Sequence, residues 1–252
     1  MSLLEARGVS KNFAGISALN DVTLEVPAGG LVGLIGPNGA GKTTFFNCLL
    51  GLLKPDGGTI RFDGKDLTRV PTHARARLGI ARTFQRIELF VGMTPREHFL
   101  VADRVRSGRG SLWKDLLHRG GPTGEEEQRA QATLDLLGLG AVADRPVESL
   151  SLGVGRLVEI GRALSTEPRL VLLDEPSSGL DRHETGELAN TLLTVHREQG
   201  TAILLVEHDV ELVRSFVESV YVLDFGTLIA SGETQSVFAE DAVRRAYLGD
   251  MV

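Results

Sequence analysis

Gly36-Pro37-Asn38-Gly39-Ala40-Gly41-Lys42-Thr43-Thr44 directly follows the apolar run Leu31–Ile35, and a segment with helical character comes after it. The run predicts a buried strand, so the glycine-rich stretch predicts the turn between a strand and a helix. Gly36, Gly39 and Gly41 allow backbone conformations that other residues resist, and successive N–H groups can then converge on phosphate oxygens. The spacing predicts a phosphate-binding loop and therefore a nucleotide-binding protein.

Two side chains of this loop carry further chemistry. Lys42 supplies charge to the β- and γ-phosphates and is a candidate catalytic residue, while the Thr43 hydroxyl can ligate Mg²⁺. Thr43 also opens the predicted helix, whose N-terminus favours an anion. The predicted nucleotide contacts of the loop are Gly36, Asn38, Gly39, Ala40, Gly41, Lys42, Thr43 and Thr44.

Composition limits the class of protein. The chain has 252 residues, enough for one domain with a substantial core, and its formal net charge of −6 argues against non-specific binding of nucleic acid. The sequence shows neither a signal segment nor an apolar run near the roughly 20 residues that span a bilayer. We expect a cytoplasmic protein that reaches a membrane only through a partner. The single cysteine, Cys48, is expected to be an inert core thiol.

Two sets of apolar runs are short enough to be strands. The first set is separated by turns rich in Pro and Gly and predicts an antiparallel layer. The second alternates with helical segments and predicts a parallel sheet covered on both faces, so the fold class is α/β. The first set is 3–10, 19–26 and 59–62, and the second is 170–173, 202–206 and 220–223.

A helical pattern fills the region between the two sets, from residue 91 to about 165. Thr123 and Glu126 have the spacing of a capping box, and Gly138 stands where a helix would stop. This region is interpreted as a helical insertion.

Two carboxylates, Asp174 and Glu175, follow the apolar residues 170–173. A carboxylate at the end of a buried strand beside the phosphate loop can hold Mg²⁺, and Asp174 is the natural candidate. Glu175 projects further and can polarise a water for attack on the γ-phosphate. On a loop alone, two adjacent acids would be surface charge, so the assignment depends on the strand before them.

His208 and Gln85 are weaker candidates taken singly. His208 follows the run 202–206 and Glu207, at a position from which an imidazole can reach the γ-phosphate, although a lone histidine there is more often structural. Gln85 ends the stretch 82–85 and could contact both a metal-bound water and a moving subdomain. Alone, this glutamine is uninformative.

The stretch Leu150–Arg156 precedes Asp174 by about twenty residues, and Ser178–Asp181 follows the acidic pair. In this order, the phosphate loop, glutamine, serine-glycine signature, acidic pair and histidine resemble the ATP-binding cassette (ABC) ATPases over the whole chain. The resemblance implies a P-loop NTPase core of the ABC type with an antiparallel β subdomain and an inserted helical subdomain. It also implies ATP and Mg²⁺ as the bound groups.

The same resemblance assigns roles across a dimer. In that family, the signature of one subunit closes over ATP held by another, so Ser151 and Gly153 would contact a γ-phosphate in trans. Phe13 matches the aromatic residue that stacks on adenine, and Asp181 matches the loop that links the two sites. Leu152 and Val154 depart from the usual signature, and an apolar residue at 154 predicts weaker closure around ATP.

Within the family, the stretch Gly79–Gln85 and the C-terminal Arg245–Gly249 look like the ATPases of branched-chain amino-acid importers. This finer resemblance implies a homodimer or a heterodimer with a paralogous ATPase, integral permease subunits and, indirectly, a solute-binding protein. It places the chain on the inner face of the membrane, with Gln85 and the insertion as the coupling surface. The basic residues beside Trp113 are interpreted as solvated loop.

We predict one ABC ATPase domain over 1–252, with the core and β subdomain at about 1–88 and 160–252 and the helical subdomain at about 89–159. Two alternatives stay open at this point. A non-transport cassette ATPase would usually show tandem cassettes or a long coiled coil, and a P-loop kinase or nucleotide switch would lack the signature, Glu175 and His208.

Overall fold

The computed structural model describes residues 2–83, 87–107 and 121–248. Its strands are β1 (Ser2–Phe13), β2 (Ile16–Pro27), β3 (Leu31–Ile35), β4 (Gly57–Phe62), β5 (Lys65–Asp66), β6 (Ile80–Arg82), β7 (Leu170–Asp174), β8 (Ala202–Glu207), β9 (Ser219–Asp224) and β10 (Thr227–Glu233). Its helices are α1 (Lys42–Leu50), α2 (Thr72–Arg77), α3 (Pro95–Ser107), α4 (Gly124–Leu136), α5 (Leu152–Leu164), α6 (Arg182–Gln199), α7 (Val210–Phe216), α8 (Thr234–Val237) and α9 (Asp241–Leu248).

A six-stranded sheet lies at the centre of the fold, in the order β10-β9-β3-β8-β7-β6. The strands from β9 to β6 are parallel, and β10 pairs antiparallel with β9. The α/β class and the parallel sheet predicted from the apolar runs are confirmed. The sequence does not predict β10, because its residues mix polar and apolar types without a clear period.

Alternate residues of the central strands face two different cores, which explains why these strands read as unbroken apolar runs. In β3, Leu31 and Ile35 belong to one core, whereas Val32 and Leu34 belong to the other. The first core lies between the sheet and helices α3 to α6. The second lies between the sheet, α1 and the strands β1, β2 and β4.

The strands β2, β1, β4 and β5 form a second, antiparallel sheet in that order. It is the antiparallel layer that the sequence predicts, although β1 and β2 are each longer than their predicted runs. The Tyr221 hydroxyl accepts a hydrogen bond from the Glu25 amide (3.1 Å) and so joins β2 to β9 of the central sheet.

Helices α3, α4 and α5 form a helical part in which each packs against the other two. Gly161 on α5 allows the closest approach, because a Cβ there would collide with the Phe99 ring of α3. The predicted capping box of Thr123 and Glu126 opens α4. Gly138 follows this helix with a φ of 68°, as expected for a helix end.

Arg75 on α2 is a charged side chain with only 2% of its surface exposed. Its guanidinium donates to the carbonyls of Cys48 (2.9 Å) and Leu49 (2.6 Å) at the end of α1, and to that of Val70 (2.8 Å). The Cys48 carbonyl also accepts from the Gly51 amide (3.1 Å), and the cation adds a charged donor at the helix end that interacts favourably with the C-terminal dipole. Burial raises the pKa of the Cys48 thiol to about 11, in agreement with an inert core thiol.

We expect Arg75→Met to lower the free energy of unfolding by about 3 kcal/mol, because hydrogen bonds from a charged donor are strong and buried carbonyls would lose their donor. Urea unfolding followed by circular dichroism measures the change. Arg77→Met, on the exposed side of the same helix, is the control and should have little effect. Equal stability of the two variants would show that the carbonyls do not depend on Arg75.

Candidate active site

The loop between β3 and α1 has a backbone that only glycine can adopt at two close contacts. A Cβ at Gly36, where φ is 151°, would collide with the carbonyl oxygen of Leu223 on β9. A Cβ at Gly41, where φ is 101°, would lie 2.6 Å from the carbonyl oxygen of Ala18. The loop therefore lies tightly against both sheets. Its glycine conformations let the backbone turn directly into the first N–H groups of α1.

The start of α1 suits an anion. Its N-cap, Gly41, has no side chain to occupy the free N–H groups, and the first turn contains no acidic residue. Lys42 is 6% exposed, and its ammonium donates to the carbonyls of Gly36 (2.6 Å) and Pro37 (2.9 Å). Burial lowers the pKa of Lys42, and nearby carboxylates oppose this shift. An arriving phosphate would satisfy the same ammonium from the open side of the loop.

The carboxyl ends of β7 and β8 bring the acidic side chains to this loop. Asp174 ends β7 beside Val206 of β8 and is 8% exposed. Burial and then the neighbouring Glu175 raise the pKa of Asp174, while Arg82 and Lys42 oppose the rise. The positive charge of Arg82 and Lys42 is therefore too small to offset the effects that disfavour the ionised form of Asp174. Together with the exposed Thr43 hydroxyl, it offers the oxygen ligands that Mg²⁺ prefers, so the donor set fits that ion.

Glu175 and His208 form a pair at the mouth of the site. Nδ1 of His208 lies 3.9 Å from Oε1 of Glu175, and the imidazole is half exposed. Glu175 has a φ of 46°, which is rare outside glycine, and its amide donates to the carbonyl of Val206 (2.9 Å). The turn directs the second carboxylate away from the strand that holds the first. The structure therefore brings Lys42, Asp174, Glu175 and His208 to one edge of the sheet.

The signature residues lie elsewhere in the chain. The Ser151 hydroxyl is exposed and caps α5 by accepting from the Val154 amide (3.3 Å). A Cβ on Gly153 would lie 3.0 Å from a carboxylate oxygen of Glu184 on α6. Asp181 caps α6 in a capping box with the same glutamate. Gly153 and Asp181 thus both lie beside Glu184 at the start of α6, whereas the phosphate loop contacts β9 and β2.

The two departures in the signature have structural partners. Leu152, which is 45% exposed, covers Gly179, where a Cβ would lie 2.9 Å from Leu152 Cδ2. Val154 packs against the core between the sheet and the helical part. Val154 is half-buried in this position, and the expectation that an apolar residue there weakens closure around ATP stays a prediction.

The remaining predicted contacts are at the edges of the site. Phe13 ends β1 with 41% of its surface exposed, and the ammonium of Lys11 lies 5.4 Å from its ring centre. Asn38 is exposed on the phosphate loop, and Ala40 is buried below it. Gln85 and Trp113 lie outside the described residues.

Glu207 is a residue of this edge that the sequence analysis did not select. It ends β8, is completely buried, and accepts hydrogen bonds from Ser177 and from the His208 amide. The signal was present, because a carboxylate after the apolar run 202–206 obeys the rule that selected Asp174. The sequence analysis assigned a functional role to the adjacent His208 and none to Glu207.

A buried lysine in a loop that opens a helix, facing carboxylates at the ends of parallel strands, defines the P-loop nucleotide-binding proteins. Comparison with known families makes the class narrower. The chain belongs to the ABC transporter family, whose model matches residues 19–178. The predicted resemblance is confirmed, and neither the kinase nor the nucleotide-switch alternative fits this family.

Relatives match almost the entire chain. It is 40% identical to the high-affinity branched-chain amino acid transport ATP-binding protein LivG of Escherichia coli strain K12, over 98% of both chains. The ADP conformation of MJ1267, an ATP-binding cassette of an ABC transporter, superposes with a TM-score of 0.85 at 32% identity, over 99% of this chain and 100% of that one. A dimeric post-hydrolysis structure of the cassette MJ0796, bound to ADP and Pi, gives 0.75 at 25% identity, over 92% and 98%.

None of the helices in the described residues is both long and apolar enough to cross a bilayer.

We expect Asp174→Asn to stabilise the nucleotide-free protein at pH 7 by roughly 1 kcal/mol, a figure reduced for partial screening by solvent. The folded-state pKa of Asp174 is raised, so the native state holds this proton more tightly than the unfolded state. Wild-type stability therefore falls as the pH rises from the ordinary carboxyl pKa of 3.8 through the raised value. Thermal unfolding at pH 4 and pH 7 measures the difference between variant and wild type.

The gain should be larger at pH 7 than at pH 4, and ATP with Mg²⁺ should stabilise the variant less than the wild type. Asp135→Asn, on the exposed face of α4, is the control. A variant that is less stable than wild type at both pH values would contradict the view of Asp174 as a strained buried charge.

Proposed function

We propose that this chain is the ATP-hydrolysing subunit of a membrane importer for branched-chain amino acids or a related small polar solute. One observation carries the hydrolytic part: Lys42, Asp174, Glu175 and His208 meet at one edge of the central sheet, beside an uncapped helix N-terminus. The identity with LivG over almost the whole length supports the solute class. Membership of the ABC transporter family fits the same conclusion.

Each residue of the edge has a separate task in this proposal. The Lys42 ammonium turns from the Gly36 and Pro37 carbonyls to the β- and γ-phosphates, which the N–H groups of the loop also hold. Glu175 orients the attacking water and accepts its proton. His208, at 3.9 Å from Glu175, contacts the γ-phosphate.

Two further parts of the site complete the binding of the nucleotide. Phe13 offers an exposed ring face on which the adenine stacks. Mg²⁺, which Thr43 and Asp174 would hold, supplies positive charge to the β- and γ-phosphate oxygens.

A second cassette completes each site, either a copy of this chain or a paralogue. Ser151 and Leu152 stand exposed at the start of α5, and Asn38 stands exposed on the phosphate loop, so both surfaces are open to a partner. The dimeric form of the similar cassette MJ0796 supports this arrangement. ATP shifts the equilibrium towards the closed dimer by its difference in affinity for the two states, and hydrolysis returns the open one.

The permease subunits would contact the helical part and the loop before it. Exposed apolar residues mark this surface, and they are Phe90, Val91, Val101 and Val105. The loop is tied to the helices by Arg162, which donates to the Glu88 carbonyl (2.6 Å), and by His98, which accepts from the Phe90 amide (2.9 Å). Because of these bonds, the loop moves together with the helical part and can transmit its displacement.

We expect Glu175→Gln to bind ATP with nearly normal affinity and to lose at least a hundredfold in kcat, because an amide cannot accept the proton of the attacking water. The variant should accumulate as an ATP-bound dimer, which light scattering detects. Glu187→Gln, an exposed change on α6, serves as the control. Steady-state hydrolysis near the wild-type rate would remove Glu175 from the proposed role.

Uptake into proteoliposomes tests the solute and the coupling surface together. The protein is reconstituted with the permease and solute-binding subunits encoded beside its gene, and we expect ATP-dependent uptake of leucine. Phe90→Asp should keep ATP affinity and reduce uptake at least tenfold, because it charges the apolar docking surface. Leu52→Asp, an exposed change after α1, should keep both.

Two results would contradict parts of this proposal. Uptake of a different solute without leucine would reject the solute class and keep the hydrolytic assignment. Loss of ATP affinity in Phe90→Asp would place this residue in nucleotide binding and not in coupling.

A further inference from the structure

Glu207 is fully buried at the carboxyl end of β8 and holds two segments of the chain. One carboxylate oxygen accepts from the amide (3.0 Å) and the hydroxyl (2.6 Å) of Ser177, in the loop after β7. The other accepts from the amides of His208 (3.0 Å) and Asp209 (3.4 Å), at the start of α7. The carboxylate therefore joins the loop after the acidic pair to the histidine of the proposed site.

This arrangement is costly for a residue that only fills space. The four donors just named are neutral, and the imidazole Nδ1 of His208 lies 3.7 Å from the second carboxylate oxygen, so the buried carboxylate depends mainly on these hydrogen bonds. Asp174 and Glu175, on the adjacent strand end, are negative as well. An apolar residue would continue the run 202–206 at a lower cost in desolvation. Unlike an apolar residue, the carboxylate accepts four hydrogen bonds and so connects two separate segments.

The loop that Glu207 holds leads directly to the signature. The carbonyl of Ser178 accepts from the guanidinium of Arg156 on α5 (3.4 Å), and Gly179 lies under Leu152. Continuous contacts thus run from His208 through Glu207, the loop after β7 and Arg156 to the N-terminal end of α5. In the proposed dimer, the first of these residues faces one ATP and the end of α5 faces the other.

We infer that Glu207 is a positioning residue for ATP hydrolysis. It fixes His208 beside Glu175 and holds the loop Ser177–Asp181 in a set position relative to that histidine. This inference rests on the proposed function and deepens it. Glu207 does not touch the nucleotide. It acts through the backbone of His208 and through Ser177, so its loss should lower the rate of hydrolysis and leave the affinity for ATP nearly unchanged.

Glu207→Gln tests this role because the amide has the same shape and only one accepting oxygen. The amides of His208 and Asp209 cannot turn away, whereas the Ser177 hydroxyl can rotate and accept, so the new NH₂ group should face Ser177. The Ser177 amide then faces a donor and loses its partner. The substitution therefore separates the loop from His208 and the start of α7, so it tests the connection between the two segments on which the positioning role depends. Ser177→Ala is a milder second variant, since it removes one of the four bonds.

The full-length protein is assayed for kcat and KM of ATP hydrolysis, for the Kd of a fluorescent ATP analogue, and for thermal unfolding. Rates are divided by the concentration of protein that binds nucleotide, so a loss of folded material does not count as a loss of activity. We expect kcat to fall about tenfold in Glu207→Gln and about threefold in Ser177→Ala, with Kd within twofold of wild type. Glu218→Gln, an exposed change just before β9, is the matched control and should keep all values.

A normalised kcat equal to wild type in Glu207→Gln, with only a lower unfolding temperature, would overturn the inference and leave Glu207 a structural residue. A tenfold weaker Kd with an unchanged kcat would also overturn it. Glu175→Gln separates the two levels of the proposal. If Glu175→Gln is inactive and Glu207→Gln matches wild type, only the positioning role fails. If Glu175→Gln hydrolyses ATP normally, the proposed hydrolytic site itself fails.

Discussion

The charge balance around the buried ammonium of Lys42 governs the edge of the sheet on which the proposed chemistry takes place. Three carboxylates, those of Asp174, Glu175 and Glu207, contribute to the field at this lysine and oppose the lowering of its pKa by burial. The ammonium in turn partly offsets the burial and the repulsion by Glu175 that raise the pKa of Asp174. A site with this much buried charge is stabilised when a metal ion and phosphates bind, since both kinds of charge then gain partners.

The parallel sheet creates this concentration of charge. Neighbouring parallel strands end at the same edge, so β3 delivers the phosphate loop where β7 and β8 deliver their carboxylates. The strands themselves are held by two cores, one on each face, and their apolar side chains alternate between them. The charged residues at the strand ends are thereby held in place by well-packed strands, although burial of their charges is unfavourable. Glu175 directly follows β7, and its φ of 46° is a strained backbone conformation at this edge of the sheet.

The helical part is joined to this edge by specific contacts and not by packing alone. Arg162 and His98 hold the backbone of the loop before α3, and Arg156 and Leu152 hold the loop after β7. A displacement of α5 must therefore affect both loops. Such contacts give a physical route by which binding of ATP at a dimer interface can move a surface that faces a membrane partner.

Local patterns in the sequence were enough to determine the phosphate loop, the parallel strands, the capping box of Thr123 and the acidic pair after β7. In each case, the residues that define the feature lie within a few positions of one another, so spacing alone expresses the geometry. Family resemblance then placed Ser151, Phe13 and Asp181, which no local rule selects, and their roles remain proposals.

Only the tertiary structure decided which distant segments share a hydrogen bond. Arg75 satisfies the end of a helix 26 residues earlier, and Glu207 binds Ser177 across 30 residues. It also decided that the half-buried Val154 packs against the core and that β10 adds an antiparallel strand to the sheet. These outcomes depend on how strands and helices pack after they form. A sequence pattern records which side chains are polar, whereas the packed fold determines which of them meet, because burial forces each polar group to find the partner that its neighbours leave available.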